Sequence, residues 1–120
     1  MFDSHGLDVR FRLWFLDTGH KNCLGQRGTS CANPDQVDWF RAANTAIKDQ
    51  KSKGKGILFF HIPFPEYLHL YNEYSFYGTR RSNISCWSVN TGLFAAILEQ
   101  PTVTWVSCGH NHGNDFYGEY

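Results

Sequence analysis

The stretch "NPDQVDWFRAANTAIKDQK", residues 33–51, constrains the fold more than any other, because it specifies one amphipathic helix between two short apolar runs. Asn33 suits an N-cap, Pro34 the first helical turn, and Asp35 and Asp38 the positive end of the helix dipole. Val37, Phe40, Ala43, Ala46 and Ile47 recur at helical spacing, a stripe that needs a core to cover it. In the "KSKGKG" that follows, lysines meet the negative end of the dipole, and Gly54 and Gly56 stop the helix. Upstream, "VRFRLWFLD" sets Val9, Phe11, Leu13 and Phe15 against Arg10 and Arg12, then turns apolar on both faces at Trp14 and Leu16, as a strand entering a covered sheet does. Downstream, "GILFFHIP" reads as a short buried strand closed by Pro63. Strand, helix and strand in that order imply parallel neighbours joined by a right-handed crossover.

The rest extends the pattern. Residues 64–87, "FPEYLHLYNEYSFYGTRRSNISCW", are aromatic and irregular, with one helical turn near Glu66 to Leu70. Such aromatic density argues against disorder. "NTGLFAAILEQP" predicts a second helix, capped by Asn90 and stopped before Pro101, and "TVTWVSC" a third strand. The fold class is therefore α/β, in the order strand, helix, strand, loop plus helix, strand.

Lysine plus arginine and aspartate plus glutamate number 11 each, so no net charge steers the chain toward nucleic acid or an anionic surface. Its longest apolar stretches are a few residues, far short of the ~20 that span a bilayer. The four cysteines, at 23, 31, 86 and 108, match no zinc-binding spacing. Cys23 and Cys31 bracket a polar loop, "CLGQRGTSC", that either a disulfide closes or two free thiols flank. "NIS" at Asn83 is an N-glycosylation acceptor pattern. Both features point toward a secretory or vacuolar route and leave the compartment open.

Ligands of open α/β sheets collect beyond the carboxyl ends of the strands. Three such ends carry polar groups here: Asp17 after the first strand, His61 after the second, and His110 with His112 after the third. Asp17 reads first as a turn residue, and His61 alone reads as readily as a packed histidine as a ligand. His20 and His69 read as surface or packing residues, and His5, with no strand before it, as a loop coincidence. Gly-His-Asn-His differs, since imidazoles at i and i+2 after a strand can face one pocket, and Gly109 lets the backbone turn closely. One zinc could take both, or each could serve one ion of a pair.

"FFHIPFPE" (Phe59 to Glu66), followed about 50 residues later by "GHNHGNDF" (Gly109 to Phe116), resembles the last two metal-binding motifs of calcineurin-like metallophosphoesterases, and most of all their purple-acid-phosphatase-related subgroup. "LWFLDTG" and the helix at "PDQVDWF" are similar to that subgroup's preceding strand and helix. The resemblance implies a layered α/β/β/α sandwich of which residues 1–120 are the carboxyl-terminal half, truncated at both ends, with no further strand after the His-x-His motif. It implies that His61 and His110 bind one metal ion of a dinuclear centre and His112 the other. Asn111 and Asp115 stand near these ligands in sequence, Asp115 reading either as an acceptor fixing an imidazole tautomer or as a packing or turn residue. Glu66 would order its loop. The metals would be two ions drawn from iron, zinc and manganese. They would bind a phosphoester substrate and lower the pKa of a water that attacks phosphorus.

The earlier motifs of that family, including the bridging aspartate and a proton-handling histidine, have no match and would lie upstream of Met1. The resemblance thus implies a metal-dependent phosphoester hydrolase in the intact parent and negligible activity in these 120 residues alone. Arg80 and Arg81 are candidates for phosphate contact or simply solvated. Two alternatives remain: a noncatalytic domain that keeps the scaffold for binding or regulation, and a small structural zinc module using His61, His110 and His112 with Cys108.

Overall fold

The computed structural model describes residues 11–48, 55–99 and 102–119. Its centre is a three-stranded parallel sheet in the order β1–β4–β6, formed by Phe11–Phe15, Lys55–Phe59 and Val103–Ser107. Helix α1, Pro34–Lys48, connects β1 toward β4, and α3, Leu93–Glu99, precedes β6. The mixed α/β class with parallel strands agrees with the sequence reading. Among the described residues no helix is long and apolar enough to cross a membrane.

Helix α1 starts where its sequence directs, with the Asn33 carbonyl accepting from the amides of Gln36 and Val37. Val37, Phe40 and Ile47 enter the core. The inward stripe departs from the expected one at its end: Ala46 is exposed, whereas Asn44 is buried and accepts a short hydrogen bond from the hydroxyl of Thr102. That polar pair ties α1 to the residue before β6, where an alanine would have tied nothing. Gly56 is not a helix stop. It lies in β4, and a Cβ there would meet the Thr102 carbonyl oxygen at 2.8 Å and Trp14 Nε1 at 3.1 Å. Gly54 falls outside the described residues.

The burial of β1 reverses the face its alternation suggests. Trp14 and Leu16 are buried, and Trp14 sits edge-on against Phe40 at 5.0 Å. Phe11, Leu13 and Phe15 stand exposed on the opposite face. Val9 and Arg10 lie outside the described residues.

Two segments expected to be irregular contain regular structure. Residues 18–33 hold a hairpin, β2 (Lys21–Cys23) and β3 (Gln26–Thr29), turned by Leu24 and Gly25 at φ 51° and 79° and clipped by a Cys23–Cys31 disulfide. Positive φ at both central residues is the turn that suits a right-twisted hairpin. The aromatic segment forms α2, Glu66–Glu73, and β5, Tyr77–Arg80. Antiparallel to β5 runs β7, Asn114–Tyr117, so a strand does follow the His-x-His motif. Asn90 closes a turn by accepting from the Gly92 amide, and the Gly92 carbonyl, not Asn90, takes the Ala96 amide of α3.

Candidate functional site

The parallel ladder continues beyond the strands into the histidine segment. The Leu16 amide donates to the Phe59 carbonyl, Phe60 to Ser107, and Gly109 to His61, at 3.0, 3.2 and 3.0 Å. Strand alternation persists along β4: Leu58, Phe60 and Ile62 are buried on the helix side, so His61 follows Ile57 and Phe59 toward the open face. The three strand ends named by the sequence therefore share one edge of the sheet.

Their surroundings are set by buried hydrogen bonds. The hydroxyl of Thr18, a fully enclosed side chain, accepts from the Ile62 amide at 3.0 Å and pins the loop after β1 to the segment after β4. Trp87 Nε1 donates to the Ile62 carbonyl, fixing the same residue from the other side. Asp17 behaves as a turn residue: its carboxylate accepts from the Gly19 amide at 2.8 Å, and its backbone is bracketed by the side-chain amide of Gln36.

His61 and His110 come together, with ring centroids 5.2 Å apart and planes at 86°. Gly109 lies against this pair: a Cβ there would stand 3.4 Å from His61 Nδ1, an ordinary van der Waals contact, so the space would admit an alanine. The left-handed residue is His110 itself, at φ 72°, at the centre of a tight turn that the Asn111 amide closes onto the Gly109 carbonyl. Three-residue turns of that hand are rare and strained, and strain of this kind gathers at functional sites. Burial holds the His110 imidazole below its ordinary pKa, and repulsion from His61, His112 and His20 adds to this. His110 is thus biased toward the neutral form that donates a lone pair. His20 is exposed, as the reading of it as a surface residue has it, and its charge is the least of these causes.

His112 is exposed, and the amide between the two histidines serves a loop. Asn111 Oδ1 accepts from the Ser85 amide at 3.0 Å, while Asn114 Oδ1 accepts from the amides of Arg81 and Ser82 and its Nδ2 donates to the Ser82 carbonyl. Residues 81–85 are thereby moored to the His-x-His turn. Asp115 stands exposed in β7 opposite Thr79. Glu66 accepts from Asn90 at 2.9 Å, joining α2 to the approach to α3. Arg80 lies over the rings of Phe76 and Tyr71, 3.6 and 4.6 Å from their centroids.

The donor set does not fit a complete metal centre. Among the described residues no group of three or more histidine, cysteine or acidic side chains is placed to hold a metal ion. Two imidazoles meet, and among the described residues no carboxylate joins them. Cys108 packs against the core and Tyr67, and no three-ligand group forms around it among the described residues, so a structural zinc module using it gains no support.

No family model matches the chain, and no solved structure matches it. Two curated proteins of Arabidopsis thaliana do. One, named "Probable inactive purple acid phosphatase 29", is 32% identical over 116 residues, covering 89% of this chain and 30% of that protein. The other, "Probable inactive purple acid phosphatase 14", is 33% identical over 70 residues, covering 58% of this chain and 18% of that protein. The chain thus spans less than a third of the length of either relative. The similarity supports a purple-acid-phosphatase-related family, and with it a relation to the metallophosphoesterases, for this chain.

Proposed function

We propose that these residues are the carboxyl-terminal half of a calcineurin-like metallophosphoesterase domain, and that the longer protein hydrolyses a phosphoester at a two-metal centre of iron, zinc or manganese. The observation that carries this reading is the convergence of His61 and His110 at one sheet edge, beside His112, in a chain related to purple acid phosphatases. His61 and His110 would serve one ion and His112 the other. The remaining donors, a carboxylate first among them, come from outside the described residues. The 120 residues alone are inactive on this account.

The uncovered face of the sheet supports the layered sandwich that goes with it. Parallel sheets are normally covered on both sides. Here Leu13, Phe15 and Trp105 are 54%, 67% and 51% exposed, an apolar wall that a second sheet would bury.

A noncatalytic reading is favoured by one specific observation: both relatives carry "inactive" in their names. The two separate in one experiment. The longer protein, loaded with manganese, zinc or iron, is assayed on an aryl phosphate beside its His61→Ala and His110→Ala variants and beside the 120-residue chain. Metal-dependent turnover in the longer protein, lost in both variants and absent from the short chain, is expected. Metal binding without turnover would establish the noncatalytic domain, and turnover by the short chain would sink the proposed division of the site.

A further inference from the structure

We infer that Asn83 is an N-glycosylation site, accepting an oligosaccharide from a lipid-linked pyrophosphate donor. Asn83-Ile84-Ser85 is the single Asn-x-Ser/Thr triplet in the sequence, with no proline at its centre. The structure presents this triplet as an acceptor needs to be presented. It lies in the segment between β5 and α3, outside any strand or helix, and exposure alternates along it: Asn83 and Ser85 are exposed, whereas Ser82, Ile84 and Cys86 turn partly inward. Ile84 lines the groove beside β6, and the backbone on either side of Asn83 is held by Asn114 at Ser82 and by Asn111 at Ser85. A bulky polar group on Asn83 therefore projects from a moored loop and displaces no core residue.

A second observation points to the same compartment without using the triplet. Cys23 and Cys31 are joined by a disulfide across the β2–β3 hairpin, and disulfides persist where thiols are oxidised, on the secretory route. Oligosaccharide transfer takes place on that route. In the transfer, Asn83 Nδ2 forms a bond to the anomeric carbon of the first sugar, the bond from that carbon to the pyrophosphate oxygen breaks, and the lipid pyrophosphate leaves. The amide gives up one proton, and nothing is oxidised or reduced.

The location adds a consequence. Because the Ser85 amide is bonded to Asn111, between His110 and His112, the carbohydrate stands at the rim of the histidine cluster. The inference does not depend on what those histidines do.

The test directs the full chain into the endoplasmic reticulum of a eukaryotic secretory host behind a cleavable signal sequence. The lumenal pool is then treated with an amidase that removes N-linked glycans. A mobility shift removed by the amidase is expected for the natural sequence, absent in Asn83→Gln and Ser85→Ala, and retained in Ser85→Thr, which keeps the hydroxyl. Amidase release in heavy-oxygen water, followed by peptide mass analysis, should mark residue 83. Addition occurs as the chain enters the lumen, so a variant that folds poorly is still scored. Lumenal chain with unmodified Asn83, or a shift that persists in Asn83→Gln, overturns the inference.

Discussion

The two faces of the β1–β4–β6 sheet carry similar side chains in opposite surroundings. On one, Trp14, Leu16, Leu58 and Phe60 are closed in by α1, α3 and the segment after β4, with Phe40 and Leu58 wholly buried. On the other, Leu13, Phe15 and Trp105 face outward, Phe15 stacks on Phe59 at 5.4 Å, and Trp105 meets Tyr117 at 6.1 Å. The aromatic content of the two faces is alike; what differs is the helix cover. The difference teaches that the histidine edge inherits both conditions. Its backbone is fixed from the covered side through Thr18, Ile62 and Trp87, while His61 projects toward the uncovered one. One half of a site can in this way be positioned before the other half is present.

Paired truncations give the largest effect. Phe40→Ala should cost about 3–5 kcal/mol in urea unfolding of the chain, because it empties a fully enclosed site beneath Trp14. Phe15→Ala should cost less than ~1 kcal/mol, since its ring is 67% exposed and loses chiefly its stacking on Phe59. Equal losses would erase the distinction between the faces. In the proposed longer protein, a second sheet would raise the cost of Phe15→Ala toward that of Phe40→Ala. An unchanged small cost there would remove the sandwich.

Intermediate effects come from two contacts on the covered side. Gly56→Ala drives a Cβ toward the Thr102 carbonyl and the Trp14 indole and should lower stability by about 1–3 kcal/mol, as overpacking does. Thr18→Val keeps the shape and removes the acceptor of the buried Ile62 amide, which should cost about 1–3 kcal/mol. It should also speed hydrogen exchange at Ile62, as a merely volumetric change would not. Native protection of that amide in the valine variant would show that the hydroxyl does not fix the segment carrying His61.

How much of this was legible follows from range. The start of α1 and the three parallel strands depend on local signals: a cap, a proline, a helical period and short apolar runs. The meeting of His61 with His110 was visible as motif spacing in the resembling family. The covered face of β1 was not, because Trp14 and Phe15 are equally apolar and only helix placement distinguishes them. The β2–β3 turn escaped because Leu24 occupies a left-handed position that usually takes glycine or asparagine. The β5–β7 pair joins segments far apart in sequence, and β7 is too short to announce itself. Asn111 was read as standing beside metal ligands, whereas its side chain holds the Ser85 amide, a bond between residues 26 apart.

The smallest effect concerns the thiol on the covered side. Cys108 packs against the core beside Tyr67, and burial pushes its pKa from the ordinary 9.0 up to about 11. In the unfolded chain the thiol ionises at the ordinary value, so between about 9 and 11 the unfolded state loses a proton that the folded state keeps. Stability from this group is therefore fully retained below pH 9 and falls as the pH rises toward 11. The thiolate is also the nucleophile, so at pH 8 the folded chain holds a thiolate fraction about a hundredfold smaller than the unfolded chain does. Alkylation by iodoacetamide, resolved by peptide mass, should be correspondingly slow at Cys108 and quicken steeply above pH 10. Cys86, whose pKa burial raises while its own backbone hydrogen bond opposes the rise, is the internal comparison and should react first. Equal rates at the two cysteines near pH 8 would mean that Cys108 is open to water. The cover over the carboxyl end of β6, and with it the rigid side of the histidine turn, would then be lost.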